Sequence, residues 1–156
     1  MVERLKGQSE VTLDEKGRIS LPAALRRALG DVELTLKPCD YEECLWLFPT
    51  SVYQEMLAEY SKNTNILSKK DRDFRRRLFN SQDVEIDKAG RIAIPQGYRE
   101  FAELTKDCLV FGQGEYIEIW DKDKYLKYYS ESKEDFVSVS EEIASKLKNN
   151  KAGNQE

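Results

Sequence analysis

Histidine is absent from the 156 residues. That removes Ser-His-Asp and Cys-His catalysis and any imidazole-held metal. No run of about 18 apolar residues occurs, so no helix is expected to cross a membrane. The opening Met1-Val2-Glu3-Arg4-Leu5-Lys6-Gly7 is too polar for a secretory signal, which makes the cytoplasm the expected location. Cysteine is scarce: Cys39, Cys44 and Cys108. An odd count argues for buried thiols rather than a disulfide framework. Cys39 and Cys44 can meet across a turn, but a single Cys-x4-Cys spacing is a weak metal signal, and all three are read as small core residues. Gly112-Gln113-Gly114 is too short to cradle a phosphate and reads as a hairpin bend. No catalytic residue, metal site or cofactor is expected. Asp14 and Asp87 form a conceivable acid/base pair, but nothing supplies a nucleophile.

What is present is a repeat. Val11-Thr12-Leu13-Asp14-Glu15-Lys16-Gly17-Arg18-Ile19-Ser20-Leu21-Pro22-Ala23-Ala24-Leu25-Arg26 returns 73 positions later as Val84-Glu85-Ile86-Asp87-Lys88-Ala89-Gly90-Arg91-Ile92-Ala93-Ile94-Pro95-Gln96-Gly97-Tyr98-Arg99, with seven identities in sixteen. Leu45-Trp46-Leu47-Phe48 aligns more faintly with Ile117-Glu118-Ile119-Trp120 after one gap. Two copies are too few for a solenoid and predict one body with an internal pseudo-two-fold axis. The expected architecture is α+β and β-rich.

Each copy predicts strand, turn, strand, short helix and two further strands. Asp14-Glu15-Lys16-Gly17 is turn chemistry: Asp bonds its own backbone and Gly accepts positive φ. Pro22 stops the second strand and suits a first helical turn, so Ala23 to Leu29 is a helix ended by Gly30. Thr50 or Ser51 is placed to cap a helix to about Tyr60, with Val52, Tyr53, Met56 and Leu57 as its apolar stripe. A second helix spans about 69–79, with Phe74 and Leu78 facing inward. Asp121 is placed to cap a helix through Tyr128. Phe136, Val139, Ile143 and Leu147 mark a last amphipathic helix, and 149–156 is a polar, fraying end. Trp46, Phe48, Trp120, Tyr125 and Tyr128 are expected in the core or at subunit contacts. The divisions are 1–60 for the first half, 61–80 for a basic helical connector, 81–130 for the second half and 131–156 for a C-terminal helix and tail, the halves sharing one core.

The net charge of −4 opposes binding to a polyanion, so its distribution decides. Residues 61–80 carry seven cations against two anions, whereas 31–60 carry one cation against seven anions. The run Lys69-Lys70-Asp71-Arg72-Asp73-Phe74-Arg75-Arg76-Arg77 reads equally as a phosphate contact or as a solvated face pairing with the acidic segment. The turns carry more information. Surface turns close without arginine, so Arg18 and Arg91 are candidate contacts to duplex DNA, with Lys16 and Lys88 near the tips. An arginine fork bonds guanine O6 and N7 or clamps a phosphate, and the major groove admits a two-stranded ribbon. Asp14, Gly17, Asp87 and Gly90 are read as orienting the loops rather than touching a ligand.

Asp14-Glu15-Lys16-Gly17-Arg18 with Ile19-Ser20-Leu21-Pro22 and Arg26, the second copy from Asp87 to Pro95 with Arg99, and Ile117-Glu118-Ile119-Trp120-Asp121 together resemble the bacterial MraZ family over roughly residues 5 to 130. The resemblance implies a fold similar to AbrB and MazE, a duplicated swapped-hairpin β-barrel with peripheral helices. It implies a sequence-specific DNA-binding transcriptional regulator acting on repeats upstream of the division and cell-wall gene cluster. It also implies a homo-oligomer, usually a ring, in the cytoplasm at the nucleoid. The family's DNA-facing loops fall on Asp14 to Arg18 and Asp87 to Arg91. A different class of function, an oligomeric protein-binding scaffold or antitoxin-like module, is the alternative.

Overall fold

The computed structural model describes residues 4–154. The first copy supplies strands β1 (Gln8–Thr12), β2 (Arg18–Ser20), β3 (Leu34–Pro38) and β4 (Leu45–Pro49), with helix α1 (Ala23–Leu29) between β2 and β3. Helices α2 (Thr50–Lys62) and α3 (Lys69–Leu78) follow. The second copy supplies β5 (Gln82–Val84), β6 (Arg91–Ala93), α4 (Gln96–Phe101), β7 (Asp107–Gly112) and β8 (Ile117–Asp121). Helices α5 (Lys122–Ser132) and α6 (Asp135–Gly153) complete the described chain. The chain divides into two compact units, one ending at Lys122 and the other beginning at Asp123.

Within the first unit, all strand pairings are antiparallel and follow the repeat. The large sheet runs β1-β7-β8-β4-β3-β5, and β2 pairs with β6 in a separate two-stranded ribbon. Exchanging the copies reverses the strand order of the large sheet onto itself. The first strand of each copy therefore pairs with the third strand of the other, β1 with β7 and β5 with β3. Equivalent strands meet in two further pairs, β2 with β6 about Ile19↔Ile92 and β4 with β8 about Trp46↔Glu118, and each copy keeps one hairpin of its own, β3 with β4 and β7 with β8. The architecture is α+β with antiparallel sheet dominant. Two separate sheets are hydrogen-bonded among the described residues, rather than one closed barrel.

Period-two alternation explains why the ribbon sits where it does. Ile19 and Ile92 are opposite each other and fully buried, while Ser20 and Ala93 face outward. Burial of each isoleucine contributes about 1.5–3 kcal/mol. One core cluster draws Ile19, Leu21, Leu36 and Leu47 from the first copy and Ile92, Ile94, Ile117 and Ile119 from the second.

Asp121, directly before α5, ends β8, is buried, and accepts from the Thr105 amide at 3.0 Å and from the Thr105 hydroxyl, so it ties the β7 approach to β8. Three local expectations need correction. Neither Thr50 nor Ser51 caps α2. Pro49 holds the cap position, and Thr50, already helical, bonds Thr35 Oγ1 at 2.8 Å. Phe74 is not inward-facing: it is 37% exposed and lies against Tyr60, because α3 buries none of its residues. The chain beyond residue 149 does not leave the helix, since α6 continues to Gly153; residues 155 and 156 lie outside the described residues. Tyr128 is exposed, whereas Phe48 and Trp120 are buried.

Candidate nucleic-acid interface

The two charged turns adopt one geometry. In the first, the Asp14 amide donates to the Arg18 carbonyl at 2.9 Å and the Gly17 amide donates to the Asp14 carbonyl at 3.0 Å. Asp14 Oδ1 accepts from the Lys16 and Arg18 amides, both at 2.9 Å. Asp14 Oδ2 accepts from Arg18 Nε at 2.8 Å. The second turn repeats each bond. Asp87 Oδ1 takes the Ala89 and Arg91 amides at 2.9 Å, and Asp87 Oδ2 takes Arg91 Nε at 3.0 Å. One carboxylate oxygen thus closes the turn and the other aims the guanidinium.

The Arg18 amide is the foremost of several donors that hold the Asp14 carboxyl below its ordinary range, and the Arg91 amide does the same for Asp87. Both therefore stay ionised at neutral pH, as an aimed ion pair requires. Because only Nε is committed to the aspartate, the two terminal nitrogens of each fork have no hydrogen-bond partner among the described residues. Their side chains keep 27% and 33% of their surface exposed.

The ribbon register brings these forks to one face. Arg18 is opposite Ala93 and Arg91 is opposite Ser20, on the side of the ribbon away from Ile19 and Ile92. The two arginines hold diagonal corners, roughly 8 Å apart between backbones. Lys16 and Lys88 are exposed in the adjoining turns.

Two further arginines belong to this arrangement and were not singled out as site residues from the sequence. Arg26 on α1 crosses to the other copy's turn, where a Cβ at Gly90 would stand 1.5 Å from Arg26 Nη1. Arg99 on α4 crosses in the opposite sense, and a Cβ at Gly17 would stand 2.6 Å from its guanidinium carbon. Both glycines have φ of 79°, so the turn conformation and the arginine both exclude a side chain. Backbone bonds reinforce the crossing: the Leu21 amide donates to the Gly90 carbonyl and the Ile94 amide to the Gly17 carbonyl. The available signal was that Arg26 and Arg99 close both copies of the repeat at the same offset.

The basic run of α3 lies outside this ribbon. Lys69 and Arg76 pair with Asp73 on their own helix, and Arg77 approaches Asp40 only to 4.0 Å. Cys39, Cys44 and Cys108 are all fully buried free thiols, and Cys39 and Cys44 converge across the β3–β4 turn.

Fold and site together define a duplicated, strand-exchanged α+β protein that presents two aspartate-aimed arginines on one ribbon. The pattern of the family described as “MraZ protein, putative antitoxin-like” matches residues 5–77 and again residues 78–147. A protein of Treponema pallidum (strain Nichols) named Transcriptional regulator MraZ is 41% identical over 138 residues, covering 88% of this chain and 92% of its own. One of the same name from Treponema denticola is 39% identical over 140 residues, covering 89% and 96%. The chain belongs to the MraZ family.

Proposed function

We propose that this protein is a transcriptional regulator that binds specific double-stranded DNA through the paired turns at Asp14–Arg18 and Asp87–Arg91. The observation that carries the reading is the common outward face of Arg18 and Arg91, each aimed by an ionised aspartate with its terminal nitrogens left for an acceptor. A two-stranded ribbon of this width enters a major groove, and two forks reach neighbouring base edges or phosphates. Lys16 and Lys88 add phosphate contacts, while Arg26 and Arg99 hold the turns in shape. The names of the relatives support the regulatory role.

The finer reading follows the family resemblance. The exchanged strands correspond to the swapped hairpins of an AbrB-like barrel, with 1–60 and 81–130 as the halves, 61–80 as connector and 131–156 as the C-terminal segment. The target is a set of repeats upstream of the division and cell-wall gene cluster, bound in the cytoplasm at the nucleoid. A ring of protomers answers the net charge of −4: each ribbon makes few contacts, but neighbouring ribbons on successive repeats act at high effective concentration. No enzymatic step and no cofactor enters this reading.

Mobility shift against upstream DNA with intact or scrambled repeats tests it. Preference for intact repeats, with affinity falling steeply as salt rises, is expected. Equal affinity for both sequences removes the specific reader. One observation favours a protein-binding module instead: Phe136, Val139, Ile143 and Leu147 on α6 are all exposed at helical spacing. A partner retained at high salt, with no DNA shift, selects that reading.

A further inference from the structure

We infer that the β3–β4 turn is a binding site for a zinc-class divalent ion, held by Cys39 Sγ, Cys44 Sγ and Glu42, with Glu118 at the fourth position. Spacing alone gave these cysteines no role beyond packing. In three dimensions, the two sulfurs and a Glu42 carboxylate oxygen all lie within 4.8 Å of one another, the one such cluster of three or more acid, thiol or imidazole donors among the described residues. Tetrahedral zinc, with bonds of about 2.3 Å to sulfur and about 2.1 Å to oxygen, needs neighbouring ligand atoms about 3.5–3.8 Å apart. Cys39 Sγ stands 3.2 Å from Glu42 Oε2, and Cys44 Sγ stands 3.9 Å from Glu118 Oε2. These two distances bracket the required spacing; Glu118 stands beside Cys44 but outside the cluster of three, so its carboxylate must move inward to complete the tetrahedron.

Three further features fit a metal-bound thiolate pair better than two packing groups. The Tyr41 and Glu42 amides both point at Cys39 Sγ from 3.4 Å, the arrangement that stabilises an anionic sulfur. The Cys39 amide donates to the Cys44 carbonyl at 2.9 Å, which fixes the two ligand-bearing residues against each other. Glu118 is buried, and both its oxygens are oriented: Trp46 Nε1 donates to Oε2 at 2.8 Å, and Gln113 and Trp120 Nε1 donate to Oε1 at 3.2 Å. Outer donors that fix a ligand carboxylate in this way are a regular part of metal sites. The nearby Lys37 ammonium is committed to the Pro38 carbonyl at 2.7 Å and to Asp40.

The donor set selects the ion. Two sulfurs with carboxylate oxygen suit zinc and disfavour magnesium and calcium, which require oxygen alone. Binding forms two metal–sulfur bonds and releases the two thiol protons to solvent, with no change of oxidation state. Asp40, Tyr41 and Glu43 at the tip of the turn are exposed, so an ion enters from the solvent side. Because Glu118 lies on β8 and the thiols flank the β3–β4 turn, the ion would join the two copies where β4 meets β8. This inference does not depend on the DNA reading.

The test is titration of the reduced, metal-stripped full chain with zinc chloride and with cobalt chloride. Expected are one ion per chain, the visible bands of tetrahedral cobalt with a sulfur charge-transfer band in the near ultraviolet, and a zinc-dependent rise in melting temperature reversed by chelator. Cys39→Ser and Cys44→Ser should each abolish the charge-transfer intensity that Cys108→Ser retains. Absence of those bands and of the melting shift in the unaltered chain overturns the site. So does identical binding by the Cys39→Ser/Cys44→Ser variant, or oxidation to a Cys39–Cys44 disulfide with no metal uptake by the reduced form. The measurements on the unaltered chain stand whether or not the variants fold.

Discussion

Arg26, on the short helix of the first copy, rests on Gly90, in the turn of the second, so closely that no side chain fits beneath it. Arg99 repeats the contact on Gly17. Each charged turn is thereby shaped by the other copy, and the two forks on the ribbon are coupled through the fold rather than independent. Arg99 Nε is buried and, among the described residues, has no hydrogen-bond partner. The contact is therefore one of shape and charge rather than hydrogen bonding at that atom.

Gly17→Ala and Gly90→Ala should each destabilise the protein by about 1–2 kcal/mol, since L residues resist positive φ and the arginine must move. Gly97→Ala is the control. It lies in α4 with nothing within 4 Å of the added Cβ and should stabilise by up to about 1 kcal/mol. Melting temperatures of the three variants check the opposite signs.

Arg18→Ala and Arg91→Ala should each weaken specific DNA binding by about 1–3 kcal/mol and flatten its dependence on salt. Both guanidinium groups are partly exposed, so the melting transition should survive. Fluorescence anisotropy over a salt series, beside thermal denaturation, separates the two effects. Loss of folding in either variant would make that arginine structural.

Acid should loosen both turns. The folded Asp14 and Asp87 carboxyls lie below the ordinary value of 3.8, so the unfolded chain binds protons first as pH falls. Their stabilising contribution is whole above about pH 4 and is lost as pH drops through the lowered folded values. Asp14→Asn/Asp87→Asn should remove that part of the acid slope in urea denaturation carried out between about pH 5 and pH 2. An unchanged slope would place the acid sensitivity elsewhere.

Glu118→Ala should cost about 2–5 kcal/mol, because it strands the indole donors of the buried Trp120 and the half-buried Trp46. The altered surroundings of both indoles should shift the tryptophan emission. Guanidinium denaturation followed by that emission reads both effects.

Much of this was legible along the chain because it is local. Asp14 to Arg18 and Asp87 to Arg91 spell their turns within five residues, and Pro22 and Pro95 start their helices at the expected places. Alternation put Ile19 and Ile92 inside and Arg18 and Arg91 outside. The bond from Thr105 to Asp121 was not legible, because sixteen residues separate the two. Phe74 was misread because an apolar residue in a helix signals a buried face only when something packs there.

The sequence by itself determined the duplication, the turn chemistry and the outward cations, since each depends on neighbours a few bonds away. Only the tertiary structure decided that β1 joins β7 rather than its own copy's β3, and that Arg26 serves Gly90. The convergence of Cys39, Cys44 and Glu42, with Glu118 beside Cys44, was settled there too. The physical reason is that two near-identical copies offer equivalent strands the same alternation and the same backbone donors. Hydropathy and propensity cannot choose between pairing within a copy and pairing across copies; the choice falls to the single core that both halves fill together.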